Sequence, residues 1–124
     1  MPKANAIVKD LTTAVQGLLY TSETDAPFEP FAWTGAAGTA VEDAVRANSG
    51  ARGDAPIEQQ TLAQFARTIP DESRGDYAPL FALLKNNIKN VTVVRVGEIN
   101  IDIYLVGRTA DGQFAGVKTK AVET

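Results

Sequence analysis

The sequence predicts an α+β fold in which helices pack on a mainly antiparallel sheet. Amphipathic helical patterns are concentrated in the first ninety residues, and three β-patterned runs separated by two turn signals fill residues 91–124. A chain of 124 residues with 44% hydrophobic content suits one globular unit. We therefore assign residues 1–124 to a single domain.

Four helices are expected before the terminal strands. In the first, apolar residues recur at spacings of three and four, and Gly17 weakens its end. Thr39 and Thr61 each precede Glu or Gln by three residues, which is the spacing of a capping box. A charged loop over 70–76 precedes the last helix. The predicted helices cover about residues 4–19, 39–47, 61–69 and 77–87.

Two short strands are expected among these helices. A polar loop over 21–27 leads into an aromatic strand over 28–33, which Pro30 either places at a sheet edge or interrupts. Residues 57–60 form the second short strand.

The terminal strands carry the clearest pattern. Alternation over 99–105 indicates a half-buried strand whose apolar face carries Ile99, Ile101, Ile103 and Leu105. Before it, Gly97 and Glu98 have the composition of a two-residue type II′ turn. That turn would pair Val94 with Ile101.

After this strand, residues 110–112 allow two registers. A two-residue Asp-Gly turn would place Leu105 opposite Lys118, whereas a three-residue loop ending in an αL glycine keeps the apolar faces together. We predict the three-residue loop, with pairing that continues almost to the end of the sequence and holds Glu123 and Thr124. Its pairs are Leu105 with Val117, Ile103 with Thr119, Ile101 with Ala121 and Asp102 with Lys120.

Composition narrows the functional classes. The chain has no cysteine and no histidine, which removes thiolate chemistry and the commonest general base and metal ligand. Its net charge of −3 disfavours direct binding to nucleic acid. The start offers no leader pattern and no membrane span, so we expect a cytoplasmic protein. The lack of cysteine and histidine leads us to expect that it is not an enzyme and has no cofactor of its own.

Candidate chemistry is confined to the acidic stretch after the first helix. Glu23, Asp25 and Glu29 could serve acid-base catalysis, but a solvated loop with local turn bonds from Ser22 or Thr24 explains the same spacing. The residues alone therefore indicate an acidic domain with an ordered end.

Two blocks of the sequence closely resemble the nuclease A inhibitor family, bacterial inhibitors of a sugar-non-specific nuclease. The first block contains Gly17–Glu23, Pro27–Glu29, Phe31 and Trp33. The second contains Arg95, Gly97–Glu98, Asp102, Tyr104, Gly107, Thr109, Gly112, Ala115–Gly116, Thr119–Lys120 and Val122–Thr124.

The resemblance implies a three-layer α-β-α sandwich that blocks the active site of a Mg²⁺-dependent endonuclease acting on DNA and RNA. It implies that Glu23 meets the arginine that holds the scissile phosphate and that Thr124 reaches the nuclease's catalytic metal. The expected complex is 1:1, formed by an inhibitor that is monomeric when free, with Mg²⁺ supplied by the nuclease. The flanking residues expected at the interface are Ser22, Thr24, Asp25 and Glu123.

One departure favours a second interpretation. The family carries an interface tryptophan in the loop before its long helix, whereas residues 69–75 here contain no aromatic residue. Buried tryptophans are frequent binding hot spots. The alternative is therefore a non-inhibitory protein-interaction domain with the same fold; a hydrolase using Glu23 with Asp25 or Glu29 is a third hypothesis.

Overall fold

The computed structural model describes residues 4–34, 40–49, 56–110 and 112–123. None of the helices in these ranges is long and apolar enough to span a bilayer. The elements, in chain order, are α1 Ala4–Ala14, β1 Leu19–Thr21, β2 Asp25–Pro27, β3 Glu29–Trp33, α2 Val41–Ser49, β4 Ile57–Thr61, α3 Leu62–Ala66, a 3₁₀ turn Asp71–Ser73, α4 Arg74–Asn87, β5 Lys89–Val96, β6 Asn100–Arg108 and β7 Phe114–Val122.

Five strands form one antiparallel sheet in the order β3-β7-β6-β5-β4, and β1 and β2 form a separate hairpin. Helices and an antiparallel sheet confirm the α+β class. Because β3 lies at the sheet edge, Pro30 occupies the edge position that one of the two sequence interpretations gave it.

The predicted register between β6 and β7 is confirmed. Leu105 lies opposite Val117, and Asp102 lies opposite Lys120. Gly112 has φ +78°, and its N–H donates to Thr109 O, so a three-residue loop ends in a left-handed glycine. Asp111 lies outside the described residues. The expected Asp102–Lys120 charge pair occupies facing positions, but the salt bridges between described residues do not include it.

The predicted two-residue turn between β5 and β6 is wrong. Val94 lies opposite Tyr104 rather than Ile101, and five residues separate Val96 from its partner Asp102. Gly97 adopts φ +116° and donates its N–H to Pro56 O, which opens the connection into a longer loop. Ile99 leaves the apolar face and is 55% exposed.

The prediction that this strand is half-buried is also wrong, because both faces of β6 are covered. Ile103 and Leu105 belong to the buried cluster that contains residues of α1, α3 and α4. Tyr104 and Val106 point to the other face and pack with Val45 of α2. Polarity alone does not distinguish a strand buried on both faces from a half-buried one when the second face carries Tyr and Val.

The first helix and the following loop differ from the prediction. Helix α1 ends at Ala14, and Gly17 adopts φ +77°, the left-handed conformation that commonly follows a helix end. Leu19 begins β1 and is 49% exposed instead of extending the buried helical stripe. The predicted loop over 21–27 contains the turn of the β1–β2 hairpin.

The remaining helices match the sequence in part. Thr61 and Gln64 form the predicted capping box, with two hydrogen bonds of 2.8 and 3.0 Å, but α3 ends at Ala66. Thr39, the other predicted cap, lies outside the described residues. Helix α4 begins at Arg74 rather than residue 77, because a 3₁₀ turn leads directly into it and Ser73 N–H bonds to Pro70 O.

Candidate partner-binding site

The hairpin tip, defined as Ser22, Glu23 and Thr24, joins β1 to β2. Ser22 N–H donates to Thr24 O at 2.9 Å, and Thr21 Oγ1 donates to Asp25 Oδ1 at 2.9 Å just below the tip. These local bonds fix a tight turn at a polar sequence. The Glu23 and Thr24 side chains are exposed, whereas Ser22 is half-buried.

The hairpin tip lies beside the end of β7. Val122 N–H donates to Ser22 Oγ at 3.0 Å, and Glu23 N–H donates to Val122 O at 3.3 Å. Both backbone groups of Val122 thus bond to the hairpin tip, and Ser22 and Val122 are 100 positions apart in the chain. We call Val122 and Glu123 the terminal segment.

The base of the hairpin is anchored to the domain by polar and aromatic contacts. Thr119 is buried, and its hydroxyl donates to Pro27 O at 3.1 Å, while the Tyr77 hydroxyl donates to Leu19 O at 2.9 Å. The Tyr20 ring stacks on Phe65 with 5.5 Å between ring centroids. The hairpin therefore has contacts from β7, α3 and α4.

Arg95 connects this hairpin with the terminal segment. Its guanidinium forms an ion pair with Glu123, and its side chain is only 15% exposed. The Arg95 Nε also lies 4.0 Å from a carboxylate oxygen of Glu58 on the neighbouring strand. Burial lowers the pKa of Arg95, but the hydrogen bond and charge of Glu123, together with Tyr20, outweigh burial and raise it.

The structure brings most of the predicted site residues together. Ser22, Glu23 and Thr24 form the tip, Asp25 lies directly below it, and Glu123 follows the strand to which the tip is hydrogen-bonded. Glu123 N–H donates to Ile99 O at 2.9 Å, which confirms that this residue is held. Thr124 lies outside the described residues.

The three carboxylates considered for acid-base catalysis are distributed over different elements. Glu23 lies at the tip, Asp25 accepts the Thr21 hydrogen bond, and Glu29 lies on β3 opposite Lys118. Within the described ranges, no group of three or more Asp, Glu, His or Cys side chains could hold a metal ion.

Sequence reasoning found the acidic tip but gave no role to Arg95. The feature of the sequence that points to Arg95 is its position as a cation within an apolar β-run, between Val94 and Val96, which are buried. A charged residue that is largely buried in a strand requires a partner of opposite charge. Its partner comes from the far end of the chain, so the sequence pattern could not identify Glu123.

A family model described as nuclease A inhibitor-like protein matches residues 5–124, nearly the whole chain. Comparison with curated proteins finds no match. The matched range includes both blocks of the sequence that form the hairpin and the terminal segment. The chain belongs to the nuclease A inhibitor-like family.

Proposed function

We propose that this protein inhibits a Mg²⁺-dependent, sugar-non-specific endonuclease by occupying its active site. The observation that carries the proposal is the hydrogen-bonded contact between the hairpin tip and the terminal segment. Because the two are joined, a partner surface that approaches one of them also meets the other. Family membership supplies the class of partner.

Glu23 is the residue we assign to the nuclease's phosphate-binding arginine. Its side chain is exposed at the turn of a hairpin whose base is anchored at several points. A carboxylate matches the guanidinium fork that otherwise binds a phosphate, and charge-assisted bonds of this kind are strong. Ser22, Thr24 and Asp25 hold the turn that presents Glu23.

Thr124 is the residue we assign to the catalytic metal of the nuclease. Mg²⁺ prefers hard oxygen ligands, and a threonine offers a hydroxyl oxygen. The preceding residue, Glu123, is fixed by its backbone bond to Ile99 and by its ion pair with Arg95.

The wider proposal is a binding protein without catalytic activity or a cofactor of its own. In it, the sheet is the middle layer of a three-layer α-β-α sandwich, and the two buried clusters lie between the sheet and the helices on its two faces. The last three strands form a C-terminal meander. The protein is a cytoplasmic monomer that forms a 1:1 complex, and Mg²⁺ comes with the nuclease. Its net charge of −3 favours encounter with an enzyme that attracts polyanions.

The test is a titration of the purified protein into a Mg²⁺-dependent endonuclease that cleaves DNA and RNA. Glu23→Gln and a variant lacking Thr124 are compared with the unaltered protein and with Glu42→Gln, a carboxylate control on α2. We expect each of the first two changes to weaken binding by about 2 kcal/mol or more, and the control to have no effect. Equal inhibition by all four proteins would refute the proposed mechanism.

The absence of an aromatic residue in 69–75 favours one alternative, a non-inhibitory interaction domain. In the structure this stretch contains the 3₁₀ turn and the first residues of α4. A pulldown with the unaltered protein as bait distinguishes the two functions. Recovery of a non-nuclease partner that binds independently of Glu23 would support the alternative.

A further inference from the structure

Arg95 lies at a position where three separate elements meet. On β5 it faces Glu58 of β4 and Ile103 of β6 across the two neighbouring strand pairs. By strand alternation its side chain points away from the face of Val94 and Val96. It therefore points to the face that also buries Tyr20 of the hairpin.

We propose that Arg95 is a positioning residue that holds the hairpin tip and the terminal segment as one unit, and that Glu123 serves this internal contact rather than the partner. This inference rests on the proposed function for its biological meaning. Its structural content concerns the free protein and can be tested without any nuclease.

The contacts around Arg95 form a closed ring. Arg95 pairs with Glu123, whose neighbour Val122 exchanges two hydrogen bonds with Ser22 and Glu23. Tyr20, two residues before Ser22, interacts with the Arg95 side chain through a hydrogen bond, which contributes to raising the pKa of Arg95. When the Arg95–Glu123 pair is broken, the two regions stay joined only by the bonds at Val122, so their relative geometry is less restricted.

Charge explains why the ring closes on an arginine. A guanidinium that is only 15% exposed requires compensation, and Glu58 at 4.0 Å is the more distant of its two carboxylate partners. The Glu58 side chain is 79% exposed, whereas the Glu123 side chain is 49% exposed. Glu123 is therefore the principal counter-charge, and its carboxylate is occupied inside the inhibitor. Lysine in place of Arg95 keeps the charge but cannot offer several N–H donors in one plane.

The experiment measures amide hydrogen exchange in the free protein, followed by nuclease titration. Arg95→Gln and Glu123→Gln are compared with Glu58→Gln and with Lys120→Gln, which removes an exposed cation from β7. We expect the first two variants to accelerate exchange at the Glu23 and Glu123 amides at least tenfold. The two controls should leave these amides within twofold of the unaltered protein.

A readout at a distance separates positioning from general stability. The amide of Val106, in the cluster that packs with α2, should exchange at an unchanged rate in every variant. If Val106 accelerates by the same factor as Glu23, Arg95 stabilises the whole fold and the inference is wrong. Unchanged exchange at Glu23 and Glu123 in both Arg95→Gln and Glu123→Gln overturns it equally.

Nuclease titration then tests the link to function. We expect Arg95→Gln and Glu123→Gln to weaken inhibition by the same factor, and the double variant to be no weaker than either one. If the unaltered protein inhibits no nuclease while local exchange follows the predicted pattern, the proposed function fails and the positioning role stands. If Glu123→Gln loses inhibition with no change in exchange, Glu123 contacts the partner directly and the inference fails.

Discussion

The hairpin tip and the terminal segment lie side by side but are held by different physical means. The hairpin depends on its own turn and on buried contacts at its base, where Tyr77 and Thr119 donate to its backbone. The terminal segment depends on the pairing of β7 with its neighbours and on one buried cation, Arg95. We therefore expect the base of the hairpin to respond to changes in packing. The terminal segment, together with the hairpin tip bonded to it, should respond to changes in charge.

The largest expected effect comes from a change in β7, the strand that supports both the hairpin and the terminal segment. Gly116 of β7 lies between Phe31 and Val106, and a Cβ there would overlap the carbonyl of Leu105. We expect Gly116→Ala to lower the free energy of unfolding by about 3 kcal/mol, since backbone has to move. Chemical denaturation measures this loss.

Gly75 is the matched control for that change. A Cβ at Gly75 has no heavy atom within 4 Å, and the residue lies in the first turn of α4. Gly75→Ala should therefore stabilise the protein by about 0.5–1 kcal/mol. Equal effects of the two substitutions would show that close packing at β7 does not support the two regions.

The second prediction separates the hairpin from the terminal segment. Tyr77→Phe removes the hydroxyl that donates to Leu19 O and leaves that carbonyl without this donor. We expect a loss of about 1–2 kcal/mol and faster amide exchange in β1 and β2, with the Glu123 amide unaffected. Comparable acceleration at Glu123 would mean that the base of the hairpin also supports the terminal segment.

The pH dependence of stability provides a further readout of Tyr77. Burial, followed by the charges of Tyr20 and Asp76, raises the pKa of Tyr77 to about 12. Because this folded-state pKa exceeds the ordinary value of about 10, the contribution is complete below pH 10 and is lost as the pH rises from there through 12. Tyr77→Phe should reduce this alkaline loss.

Tyr104 is the matched comparison for Tyr77, because its pKa is raised in the same way but its hydroxyl does not support the hairpin. Burial, followed by the charge of Asp102, raises its pKa to about 12 as well, but its buried hydroxyl has no hydrogen-bond partner among the residues that the structure describes. Tyr104→Phe should also reduce the alkaline loss of stability. At neutral pH it should cost nothing or stabilise the protein, and exchange in β1 and β2 should not change.

Whether the cause of a feature is local or non-local explains what the sequence could predict about the fold. The β6–β7 register followed from local information, because a loop of three residues ending in Gly112 fixes the pairing of everything beyond it. The Thr61–Gln64 capping box is also local, and it was predicted correctly. In these cases, neighbouring residues contain the whole cause.

The failures have non-local causes. Gly97 was expected to close a two-residue turn, but its N–H donates a hydrogen bond to Pro56 O, in the segment leading into β4. Strands of three residues, such as β1 and β2, are too short for an alternation pattern and are stabilised by contacts from Tyr77 and Thr119.

The candidate site shows the same division. Glu23 and Thr124 were identified from a resemblance, and the acidic tip was visible in the sequence itself. The bond between Ser22 and Val122 and the ion pair between Arg95 and Glu123 join residues that are far apart in the chain. Residue types and spacing contain no information about such pairs, so the coupling of the two regions required the structure.

The smallest expected effect concerns the direct contact between the two regions. Ser22→Ala removes the oxygen that accepts Val122 N–H at 3.0 Å, while the backbone bond from Glu23 to Val122 remains. We expect a loss of about 1 kcal/mol or less in global stability, since a single neutral hydrogen bond contributes about that much. The Val122 amide should exchange faster than any other amide in β7.

Threonine at the same position tests whether the hydroxyl is the cause. Ser22→Thr retains an acceptor at the half-buried tip, so it should restore slow exchange at Val122, whereas Ser22→Ala should not. If the alanine variant leaves Val122 exchange unchanged, the backbone bond from Glu23 is sufficient to join the two regions.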